Sequence, residues 1–83
     1  MAAALQYETT FTLDGHSHTG QVHIALVPIG DATHYRATLV TAPLKGSYGG
    51  VAESIELALD FLNLAMQAEG AAGIHYQPHA QAA

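Results

Sequence analysis

The sequence predicts an α+β domain, a three-stranded antiparallel β-meander followed by one long α-helix packed on one face (β-β-β-α). Three observations carry this. Residues 5–42 alternate apolar and polar side chains in three runs, the period of half-buried strands, with short Gly- and Asp-containing segments between them. Residues 51–68 contain no proline or glycine and are rich in Ala, Leu and Glu, the composition of a helix. The whole chain is 83 residues long, enough for one hydrophobic core and too short for two.

The first strand runs from Leu5 to Leu13, with Leu5, Tyr7, Thr9, Phe11 and Leu13 on one side and Gln6, Glu8, Thr10 and Thr12 on the other. Asp14-Gly15 opens a polar loop read as continuing through His16-Ser17-His18-Thr19 to Gly20. The second strand, Gln21 to Ile29, sets Val22, Ile24 and Leu26 against His23, Ala25 and Val27. Pro28 lacks a donor and is expected to end its pairing. After Gly30-Asp31-Ala32-Thr33 a third strand covers His34 to about Ala42, with Tyr35, Ala37, Leu39 and Thr41 on one side and Arg36, Thr38 and Val40 on the other. Leu44 to Gly50 reads as a flexible connector, and the helix stops at Gly70. Residues 1–70 are therefore expected to form the domain, and residues 71–83 a flexible tail in which Ile74 to Gln77 resembles a short strand.

Composition narrows the function classes. Apolar residues make up 49% of the chain and charged residues only 11%, so it folds but has few groups for catalysis. Two basic residues, Arg36 and Lys45, stand against seven acidic ones, for a net charge of −5. That is the wrong balance for holding nucleic acid through its phosphates. There is no cysteine, hence no disulfide, thiolate metal site or thiol nucleophile. The opening residues lack the basic start of a signal peptide, and the apolar runs are too short for a membrane span, so the expected location is the cytoplasm.

The helix is more apolar than one sheet requires. At 100° per residue, Glu53, Glu56, Asp60, Asn63 and Gln67 share a narrow arc. Ile55, Ala58, Leu59, Leu62, Ala65 and Met66 form one apolar stripe, and Leu57, Phe61, Leu64 and Ala68 form a second beside it. A single sheet covers the first stripe. The second is expected to be a protein interface, covered by another copy of the chain in a homodimer.

Few residues are arranged for chemistry. His16 and His18 are the metal-binding candidates, but two ligands fall short of the three or four that a zinc site uses, and no metal or cofactor is expected. Ser17, Ser47 and Ser54 have no nucleophile-elbow context. Gly46 to Gly50 lacks the Walker spacing, and Lys45 precedes the glycines instead of following them. On the sheet face away from the helix, His23, Arg36, Thr38 and Val40 make a mixed surface suited to a binding partner, with Arg36 a candidate to pair across strands with Glu8.

The order of three strands, the Leu44-Lys45-Gly46 loop and the acidic helix from Glu53-Ser54 through Leu59 to Leu62 resembles the HicB-like antitoxin fold over about residues 5 to 69. That resemblance implies a dimeric module that sequesters a small basic toxin. The sequence thus leads to a non-enzymatic, acidic protein-binding or regulatory module acting as a homodimer. Its alternatives are the antitoxin-type module and a small metal-binding protein using the loop histidines.

Overall fold

The computed structural model describes residues 5–78. Its elements in chain order are β1 (Gln6–Leu13), β2 (His16–Ile29), β3 (Ala32–Leu39), α1 (Ile55–Ala68) and β4 (Ala72–Pro78). The four strands form one antiparallel sheet in the order β3-β2-β1-β4, so the chain is an α+β fold. The meander accounts for three of its strands. The fourth comes from the segment expected to be a tail, paired antiparallel along β1 from Tyr7 opposite Pro78 to Thr12 opposite Ala72. Its inward side chains are the reason: Ile74 and Tyr76 pack against the core, and the buried Thr9 hydroxyl donates to His75 O at 2.9 Å. Residues 79–83, the rest of that segment, lie outside the described residues.

Two turns are tighter than the sequence reading has them. Leu13 pairs with His16, leaving Asp14-Gly15 as a two-residue hairpin with φ of 52° and 79°. Positive φ at both positions is the type I′ turn that matches strand twist, and Asp-Gly favours it. β2 therefore starts at His16, and the supposed loop is strand. At the other end β2 passes through Pro28, which pairs with Thr33, to Ile29. The Ile24 N–H points to Leu5 O on the β1 side, and alternation points the Pro28 nitrogen the same way, beyond the start of β1. Among the described residues, the missing donor is thus on a side with no strand to lose it.

One face of the sheet is covered. Phe11, Val22, Ile24, Ala37 and Leu39 meet Ala58, Leu59, Leu62 and Met66 of α1 in the core. Ser54 caps the helix by accepting from the Leu57 N–H at 3.1 Å. Gly70, with φ of 97°, closes its other end in a Schellman motif: its N–H reaches Gln67 O and the Ala71 N–H reaches Met66 O. The helix begins four residues later than its composition implies, because the segment before it pairs with β3. Tyr35 and Ala52 exchange backbone hydrogen bonds at 2.8 Å, and the Leu39 N–H donates to Ser47 O at 2.8 Å. Residues 46–50, from the expected flexible connector, and 51–52, from the expected start of the helix, thus run along the outer edge of β3. The molecule is 17 Å along its shortest axis, the depth of one sheet and one helix, and among the described residues nothing covers the second face of the sheet.

Candidate binding face

The open face is built by strand alternation. β1 contributes Gln6, Glu8, Thr10 and Thr12, β2 contributes Gln21, His23, Ala25 and Val27, and β3 contributes His34, Arg36 and Thr38, with Val40 just beyond. Register sets Thr38 beside His23 and Arg36 beside Ala25. The four residues singled out from sequence, His23, Arg36, Thr38 and Val40, therefore share one surface.

The edge segment adds a residue that the sequence reading missed. Tyr48 forms an isolated antiparallel bridge with Thr38, which brings its side chain to the same face. The Arg36 guanidinium carbon lies 5.3 Å from the centre of the Tyr48 ring, a cation–π contact worth about 0.5–1 kcal/mol at an exposed site. Tyr48 keeps 58% of its surface exposed and Val40 keeps 44%. Arg36 Nε and, two residues back along β3, His34 Nδ1 are buried without a hydrogen-bond partner among the described residues. The one available signal for Tyr48 was an aromatic among three glycines, and it carries no information about which strand the segment would follow.

Arg36 does not pair with Glu8. β2 lies between their strands, and they are offset by four residues along it, since Arg36 pairs with Ala25 and Glu8 with Gln21. The Glu8 carboxylate instead accepts from Gln77 Nε2 on β4 at 3.1 Å. That end of the face, with Thr10, His75 and Tyr76, frames a small hollow of about 140 Å³.

The second helix stripe is divided by the fold. Leu57 and Leu64 remain 38% and 62% exposed, and Ala68 is exposed as well. Phe61 is half-buried because Gly49 and Gly50 run beside it. A methyl placed on Gly49 would lie 2.5 Å from the Phe61 backbone, so only glycine allows this approach. Part of the cover assigned to a second copy thus comes from the chain's own edge segment.

The histidine candidates separate. The His18 ring stacks on Phe11, with centroids 5.5 Å apart and planes at 28°, and His16 stands opposite Leu13 at the hairpin end. Among the described residues no three His, Asp or Glu side chains converge on a point that could hold a metal ion. The Tyr76 hydroxyl donates to Met66 Sδ at 3.8 Å, and burial, aided by the nearby Asp60 charge, pushes its phenol well above the usual range. Among the described residues no helix is long and apolar enough to cross a membrane. Comparisons with family models, with curated proteins and with solved structures returned no match.

Proposed function

We propose that this chain is a non-enzymatic protein-binding module that acts as a homodimer, joined through the outward stripe of α1 and leaving its open sheet face for recognition. The observation that carries the reading is the exposure of Leu57 and Leu64, two turns apart on a helix whose other large apolar side chains are buried or half-buried. Fully burying an exposed leucine contributes about 1.5–3 kcal/mol, and the 38% and 62% left open on Leu57 and Leu64 amount together to one such side chain per copy, or about 3–6 kcal/mol across a twofold contact. Three groups with catalytic potential are engaged in structure: Ser54 caps the helix, His18 stacks on Phe11 and the Tyr76 phenol stays protonated. The antitoxin-type version of this function takes a small basic protein as partner. It draws on the exposed Glu53, Glu56 and Asp60 of the acidic helix side.

The chain contains no cysteine, so a single Leu64→Cys variant reports the contact directly. Sedimentation equilibrium of the wild type is expected to show at least a dimer at 100 µM, the concentration range in which a contact of about 6 kcal/mol becomes populated. Mild oxidation of Leu64→Cys is expected to give a disulfide-linked dimer. A wild type that stays strictly monomeric at that concentration overturns the reading.

A further inference from the structure

The open sheet face is complementary to itself. On it, β2 carries Gln21, His23 and Ala25 in a row, with Arg36 beside Ala25 on one flank and Glu8 beside Gln21 on the other. The chain's single arginine and this carboxylate thus sit at opposite corners, with His23 at the midpoint. Strands about 4.8 Å apart and a rise of about 3.4 Å per residue put the corners roughly 17 Å from each other, too far to pair within one chain. Arg36 has the Tyr48 ring as its neighbour, and Glu8 has the Gln77 amide on Oε1.

We infer that this face binds the same face of a second copy, about a twofold axis that passes over His23. An axis lying between the two sheets and perpendicular to the Arg36–Glu8 diagonal exchanges the two corners. Arg36 of each copy then meets Glu8 of the other, and both pairs form at once, as an isologous contact requires. On a flat projection of the sheet, the same rotation carries Tyr48 toward Val40 of the second copy, covering two exposed apolar side chains together. The strands of the two sheets cross steeply, near the orthogonal class of sheet packing. An Arg–Tyr anchor ringed by small apolar and hydroxyl side chains, Ala25, Val27, Val40 and Thr38, has the anatomy of a protein contact. Charge selects the occupant: a face with one cation and one carboxylate set symmetrically about its centre matches its own copy.

The inference rests on the reading that the chain self-associates and adds a contact on the side of the molecule opposite α1. Its test therefore uses full-length chains carrying Leu64→Glu, which removes the helix contact, studied by sedimentation velocity up to several hundred micromolar. The expected result is a dimer that Arg36→Glu or Glu8→Arg weakens at least tenfold, and that the double exchange Arg36→Glu/Glu8→Arg restores to within about threefold. Circular dichroism confirms that each variant is folded. If Leu64→Glu is monomeric while the wild type is dimeric, the sheet contact is overturned and the helix contact stands. If Leu64→Glu dimerises but ignores the charge exchanges, the Arg36–Glu8 geometry is overturned. A monomeric wild type overturns both readings.

Discussion

Tyr76 shows how much a single side chain contributes to closing the sheet. It lies on β4, faces the core and reaches Met66 of α1 with its hydroxyl, so it ties the last strand to the helix. Burial favours the neutral phenol, and the nearby Asp60 charge acts in the same direction. An unfolded chain loses this proton near pH 10, whereas the folded chain holds it to higher pH. The stabilisation is therefore present in full below pH 10 and is lost as the pH rises past it, because the unfolded state then binds fewer protons than the folded one. Thermal melts between pH 9 and 11.5 are expected to show a falling midpoint in the wild type and a shallower fall in Tyr76→Phe. Parallel slopes would show that Tyr76 is not the group responsible.

Among the elements, the segment 46–52 has the largest structural consequences for its length. It covers the outer edge of β3, shields Phe61 of α1 and delivers Tyr48 to the open face. A bare edge strand would invite pairing with other chains, and this one is occupied by the protein's own backbone. Gly49 makes the arrangement possible by lying directly against the helix backbone. Gly49→Ala is expected to cost about 1–3 kcal/mol, the range for overpacking a filled site. Gly50→Ala is the control: its methyl would touch the Phe61 ring at 3.8 Å, an ordinary contact, and the change should stay within about 0.5 kcal/mol. Urea unfolding of the two variants measures the contrast, and equal losses would show that the close approach at Gly49 is not what holds the segment.

At the scale of the molecule, two layers and a small, acidic charge set its behaviour. The net charge of −5 opposes nonspecific aggregation at neutral pH, and six histidines supply enough protons to carry it just past neutrality on acidification. The isoelectric point is about 5.5, where solubility is expected to be lowest. Turbidity measured from pH 7.5 to 4.5 at fixed concentration checks this, and a flat profile would contradict it. The same two-layer build leaves one sheet face and one helix edge open on opposite sides, so association through either leaves the other accessible.

Periodicity in the chain determined the faces. Alternation in β1, β2 and β3 separates Phe11, Val22 and Ala37 from Glu8, His23 and Arg36, because a strand turns successive side chains to opposite sides whatever it pairs with. The apolar stripe of α1 at Ala58, Leu62 and Met66 was legible for the same local reason, and Gly70 marked its end. The tertiary structure alone decided which segments border the sheet. The short, glycine-interrupted sequences 46–52 and 72–78 have weak local preferences, and each became an edge only because β3 and β1 offered unpaired backbone groups beside it. That choice gave Glu8 its Gln77 partner, set Tyr48 over the arginine and half-buried Phe61 of the helix stripe. Each of these is a contact between residues far apart in the chain, and no local pattern encodes them.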